Sequence, residues 1–217
     1  MSNPWLAVPL SDYEEHMRSV QIRQLDALSD LFAEALGWCR PLSVAVLGVA
    51  GGNGLDHIDT KITTRIVGLD VNPQYLEAVR ERYSHLPGLE IHCLDLSEQD
   101  VGLEPVQLVH AALIFEHAGT DRCLENAISM VVPGGNLSVV LQLPTESGQT
   151  VGTSQFSSIQ LLKAHFSLIG AAWLCESLTR RGLRLVHQTI RPLAAGKGFW
   201  MGIFYAPERH RVNKTRS

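Results

Sequence analysis

The 217-residue chain is 45% hydrophobic and 18% charged, the composition of one compact domain able to bury a sizeable core. Lys and Arg number 18 against 22 Asp and Glu, a formal charge of −4, so no global basic field exists to hold nucleic acid, and a small molecule is the better partner. Cys39, Cys93, Cys123 and Cys175 form no C-x-x-C or zinc-spaced Cys/His pair, and the start, MSNPWLAVPLSDYEEHMRS, has no basic-then-apolar leader. With no run of about 18 apolar residues anywhere, the expectation is a soluble cytoplasmic protein without a disulfide framework, structural zinc or membrane partner.

In chain order, Met17, Val20, Ile22, Leu25, Leu28, Leu31, Phe32 and Leu36 recur at three- and four-residue steps, which predicts one amphipathic helix over Tyr13–Leu36, stopped by Gly37 and Pro41. Residues 1–40 thus read as a helical segment in front of the core. Strand-like runs follow at Val44–Val49, Arg65–Leu69, Leu89–Leu94, Val106–Ala111 and Leu137–Leu141, with helical patterns between them at Pro73–Tyr83 and Asp121–Val131. Such alternation predicts a mostly parallel, doubly wound sheet within residues 41–206. Leu183–Pro192 and Phe199–Ala206 are joined by LAAGKG, too short for a crossover, and so form an antiparallel hairpin. In residues 207–217, Arg209, Arg211, Lys214 and Arg216 face Glu208 alone, a solvated, flexible basic tail.

The first strand runs into VAVLGVAGGNGLDHI, where five of seven positions from Gly48 to Gly54 are Gly or Ala. Small residues at the carboxyl end of a strand let main-chain N–H groups approach a ligand. The spacing is not that of a dinucleotide fingerprint, because Ala50 and Asn53 fall where its second and third glycines belong, and no Gly-Lys-Ser/Thr completes a P-loop. GVAGGNG instead resembles the glycine loop of the class I S-adenosylmethionine-dependent methyltransferases, with Gly48 in place of their usual acid and Ala50 in place of the first glycine. RIVGLDVNP, IHCLDL and MVVPGGNLSVVLQLP extend the likeness through the second, third and fifth strands, and the hairpin resembles the sixth and seventh.

The resemblance implies a single Rossmann-like α/β domain with a seven-stranded sheet and the cofactor S-adenosyl-L-methionine. It further implies that Gly48, Ala50, Gly51, Gly52, Asn53 and Gly54 approach that cofactor by backbone, that Asp70 beside Val71 accepts from both ribose hydroxyls, and that Asp95 and Leu96 hold the adenine. The same resemblance implies that Ala112, at the end of the fourth strand, falls beside the sulfonium. Asp70 as a helix cap, Asp95 as a turn residue and Gly134-Gly135 as structural glycines are the plainer alternatives.

IFEHA, after the fourth strand, resembles the LEH segment of quinone-pathway O-methyltransferases and small-RNA 2′-O-methyltransferases. Glu116 and His117 are therefore candidate bases, against a supporting role for Glu116 and packing for His117; Leu113 occupies the position of the acid that completes a metal site in those families. His16 is a further candidate base, and Tyr13 and Met17 candidate lid residues that wall an acceptor. Asp56, His57 and Asp59 read as a first helical turn, not a metal cluster. No Asn-Pro-Pro-Tyr or Pro-Cys signature of nucleobase methylation occurs. The function expected is O- or N-methylation of a small molecule; a cofactor-binding sensor or accessory protein, and an aminopropyltransferase, are the alternatives. The oligomeric state is unread.

Overall fold

The computed structural model describes residues 3–18, 23–144, 156–193 and 196–208. Val20 and Ile22 of the first helical pattern, Ala194 and Ala195 of the hairpin link, and tail residues 209–217 lie outside the described residues. A single seven-stranded sheet organises the chain, comprising β1 (Ser43–Leu47), β2 (Arg65–Asp70), β3 (Leu89–Cys93), β4 (Val106–Ala112), β5 (Val131–Gln142), β6 (Arg184–Pro192) and β7 (Gly198–Tyr205). The spatial order is β3-β2-β1-β4-β5-β7-β6. β1 to β5 are parallel, and β7 runs antiparallel between β5 and β6, as the short hairpin link requires.

Alternation along the strands sends side chains to two cores. Val44, Val46, Ile66, Leu108 and Val140 pack on one face with α2 (Gln24–Cys39) and α3 (Pro73–Arg82). Ala45, Leu47, Val67, Val109 and Val139 pack on the other with α5 (Arg122–Ser129) and α7 (Ala171–Arg180). β1 lies between β2 and β4, so the chain reverses its winding there, and the crevice beyond the carboxyl ends at such a switch point is the ligand position of doubly wound sheets. Leu47 pairs with Leu69 and with Ala111, and Asp70 with Cys93. Gly48, Asp70, Asp95 and Ala112 are therefore brought to one edge by register alone.

Three expectations are corrected. The helix expected over Tyr13–Leu36 is two helices, α1 (Leu10–Arg18) and α2, the second preceded by Arg23 in a left-handed conformation at φ 43° that no helix continues through. Gly37 does not stop α2, since a helix tolerates glycine; Arg40 at φ 45°, donating its N–H to Leu36 O, and Pro41 end it. The fifth strand starts at Val131 rather than Leu137. Pro133-Gly134-Gly135 forms an irregularity inside it, because Val131 pairs with Val106 and Asn136 already pairs with Leu108. Gly134 has φ +84°, and a Cβ on Gly135 would meet Gln107 O at 2.8 Å.

Candidate active site

The turn after β1 is held by the strand beside it. Gly48 and Val49 donate their N–H groups to Leu69 O at 2.9 Å, and Ala50 donates to Asp70 Oδ2 at 2.9 Å. Ala50 sits at φ 46°, which costs a non-glycine residue about 1–2 kcal/mol, so the Asp70 bond holds a strained backbone. The glycines beyond it clear room for the protein itself. A Cβ on Gly51 would strike Glu14 and Arg82, one on Gly52 the Tyr83 ring, and one on Gly54 Phe32. Asn53 donates to Leu25 O at 2.9 Å, tying the loop to the first turn of α2. Of the six loop positions expected at the cofactor, Gly48 and Ala50 line the cavity, whereas Gly51, Gly52, Asn53 and Gly54 are not among its lining residues.

Asp70 is buried at the end of β2, and Oδ1 accepts from Asn72 N at 2.9 Å. Burial raises its pKa above the ordinary carboxylate value, against backbone bonds from Asn72, Ala50 and Val71 that favour the charged form. Helix capping falls to Asn72, whose Oδ1 accepts from Gln74 N, so Asp70 is not the cap of α3. Asp95, two residues beyond β3, accepts from Ser97 N (3.0 Å) and Oγ (2.6 Å) on one oxygen and from Asn3 Nδ2 (2.8 Å) on the other. Burial raises its pKa, but the Ser97 and Asn3 bonds outweigh that and bring it below the usual value.

A cavity of about 670 Å³ runs along this edge past Asp95, Leu96, Val71, Asp70, Gly48 and Ala112. Residues 3–18 cover it, contributing Trp5, Tyr13, His16 and Met17. The cover is fastened by Asn72 Nδ2 to Trp5 O (2.9 Å), Tyr75 OH to Val8 O (2.9 Å) and Ser158 Oγ to Asp12 Oδ2 (2.6 Å). Tyr13 stacks on Tyr75 and meets Trp5 edge-on. At the far end α4 (Phe115–Ala118) carries His117, set edge-on to Trp5 at 4.9 Å and Phe166 at 5.2 Å. Burial, aided by His165, lowers its pKa to about 4, so the imidazole is neutral at pH 7.

Glu116 does not line the cavity. Only 1% exposed, it accepts from Gln142 N at 2.9 Å through Oε1, while Oε2 is buried without a partner among the described residues, and burial raises its pKa to about 7. Asp56 accepts from Tyr83 OH, His57 Nε2 bonds Ser29 Oγ, and Asp59 accepts from Lys61 N. These three belong to a 3₁₀ turn (Leu55–His57) and its exit rather than the first turn of an α-helix. Among the described residues no group of three His, Cys, Asp or Glu is arranged to hold a metal ion, and no helix is long and apolar enough to cross a membrane.

Trp5, Gln24 and Phe166 line the cavity without having been expected there. For Gln24 a signal existed: it heads the buried stripe Leu28, Leu31, Ala35, where a polar residue is out of place.

A parallel five-stranded half closed by an antiparallel last strand, with two carboxylates and a small-residue turn at the switch point, defines the Rossmann-like methyltransferase fold. Residues 46–137 match the family model of a methyltransferase domain. Solved structures with the same fold include the N-methyltransferase NodS from Bradyrhizobium japonicum WM9 in complex with S-adenosyl-L-homocysteine. It is 15% identical, with 95% of this chain and 100% of that one covered and a TM-score of 0.67. The DhpI complex with the same nucleoside is 17% identical over 96% and 100%, at 0.61. The cyclase SpnF is 15% identical over 85% and 81%, at 0.66, so the fold by itself does not set the reaction. No curated protein matches the chain in sequence.

Proposed function

We propose that the chain methylates an uncharged small molecule, on an amine nitrogen or an acidic hydroxyl, in the aromatic end of the cavity. The observation that carries this reading is continuity: one cavity joins Asp95, Asp70 and Gly48 to Trp5, Phe166 and His117. When bound, S-adenosylmethionine supplies an electrophilic methyl group on a sulfonium whose departure is easy, so alignment provides most of the catalysis. The lining suits such a cation, because its charged residues are Asp70, Asp95 and Glu98, with no Lys or Arg among the described residues.

Asp70 keeps lone pairs beyond those used by Ala50 and Asn72 and would accept from the ribose hydroxyls beside Val71. Asp95 and the Leu96 backbone would hold the adenine, while Gly48, Ala50 and Ala112 pack against the cofactor by main chain. Residues 3–18 serve as the lid, with Tyr13, His16 and Met17 walling the acceptor and excluding water. At the acceptor end, around Trp5, Phe166 and the neutral His117, the cavity lining offers no Lys or Arg to offset a carboxylate or phosphate acceptor. His117, neutral with a pKa of about 4, is a weak base; it orients by hydrogen bonding an acceptor that already carries a free lone pair.

Calorimetry with S-adenosylhomocysteine tests the cofactor half, with Asp70→Asn expected to weaken binding about tenfold. A labelled-methyl screen of amines, phenols and carboxylates tests the rest. Turnover confined to carboxylates, or cofactor binding without any turnover, refutes the proposed reaction.

A further inference from the structure

The turn after β1 presents Gly48 where an acidic side chain ordinarily meets the amino-acid end of the cofactor, and the cavity answers with a different group. Gln24 lines the same cavity as Gly48 and Ala50 and is only 6% exposed. Its amide makes no hydrogen bond to any other group among the described residues and is not among the side-chain atoms sealed from solvent, so its two donors and its acceptor are open to the cavity. It is also the first residue of α2, a 16-residue helix whose N-cap, Arg23, provides no side-chain hydrogen bond to the first turn. Arg23 thus leaves the N–H groups of that turn without a cap from the N-cap side chain, and the helix places partial positive charge there. The Asn53 bond to Leu25 O ties this turn to the loop that carries Gly48.

We infer that the Gln24 amide and the uncapped first turn of α2 bind the α-carboxylate of S-adenosylmethionine. The inference rests on the cavity's being the cofactor site. The neutral amide donates its N–H to the carboxylate, the helix N-terminus adds favourable charge, and anchoring thereby moves from the end of β1 to the start of α2. The adenosine end, on Asp70 and Asp95, stays independent of this contact.

Two ligands separate the ends: S-adenosylhomocysteine carries the α-amino-carboxylate, and 5′-methylthioadenosine lacks it. By calorimetry, Gln24→Ala is expected to lose about tenfold in affinity for the first and stay within about twofold for the second. Gln24→Glu, which sets one carboxylate against another, is expected to lose more than the alanine variant for S-adenosylhomocysteine. Unchanged S-adenosylhomocysteine binding in Gln24→Ala, equal losses for both ligands, or tighter binding in Gln24→Glu would each overturn the assignment while leaving the cofactor site standing. Failure of the wild-type protein to bind either ligand would overturn the cofactor site and this assignment together.

Discussion

Replacing Glu116 by Gln should stabilise the protein at pH 8 and do little near pH 5. The carboxyl is buried, spends Oε1 on Gln142 N and leaves Oε2 without a partner, so its charged form is badly solvated and its pKa rises from 4.5 to about 7. Below pH 4.5 both the folded and the unfolded chain hold the proton, and the group contributes nothing to the balance. Between pH 4.5 and 7 the unfolded chain releases the proton while the folded chain keeps it, so stability falls as pH rises. Above pH 7 the full cost, about 3 kcal/mol, is present. An amide cannot ionise, and its oxygen still accepts from Gln142 N, so Glu116→Gln avoids that cost. Urea unfolding followed by tryptophan fluorescence at pH 5 and pH 8 measures it. At an m-value of about 1–3 kcal/mol/M the midpoint of the variant should exceed that of the wild type by roughly 1–3 M at pH 8, and by a small fraction of that at pH 5. A midpoint difference that does not grow with pH would show that the charged carboxylate finds solvent or a partner in the folded state, and would refute the burial argument.

His110 has the opposite sign. Burial against Phe32 lowers its pKa to about 3, so the native state resists protonation and loses stability as pH falls below 6.5, by about 2 kcal/mol at pH 5; urea titrations should show a flatter acid limb in His110→Gln. His117→Phe keeps a ring in the cavity wall but loses the hydrogen bond to the acceptor, and kcat/KM should fall about 10- to 100-fold with S-adenosylhomocysteine affinity unchanged. Gly52→Ala combines φ +85° with a clash on Tyr83 and should cost about 2–4 kcal/mol, whereas Gly182→Ala, at φ +86° in open space, should cost about 1 kcal/mol. Thermal unfolding of the two variants separates steric from conformational cost.

Register carried the sequence reading furthest. β-branched runs and the turns between them located the strands, and once β1, β2 and β4 align, Gly48, Asp70 and Ala112 can only converge. The left-handed Arg23 was invisible because arginine has no preference for that conformation, and a helical period read across it merged α1 and α2. The glycine loop carries a second constraint. Its small residues do mark close approach, but for Gly51, Gly52 and Gly54 the approaching atoms are Glu14, Tyr83 and Phe32, contacts between segments far apart in the chain that no local pattern encodes. Glu116 and His117 are adjacent, yet one turn of α4 sends the first to the backbone of β5 and the second to the cavity, a divergence that depends on where the helix is docked.

The position of β7 has a consequence for biogenesis. As the nascent chain leaves the ribosome, β6 emerges before the strand that will join it to the sheet, since β7 alone pairs with both β5 and β6. Until Gly198–Tyr205 clears the exit tunnel, β5 presents an open edge and β6 is an orphan; β7, seven of whose eight residues are buried, then pairs locally with β6 and docks the hairpin onto β5. The β5–β7 pairing is therefore the late, long-range step that closes this half of the sheet, and it is where holding chaperones or stalled synthesis would act.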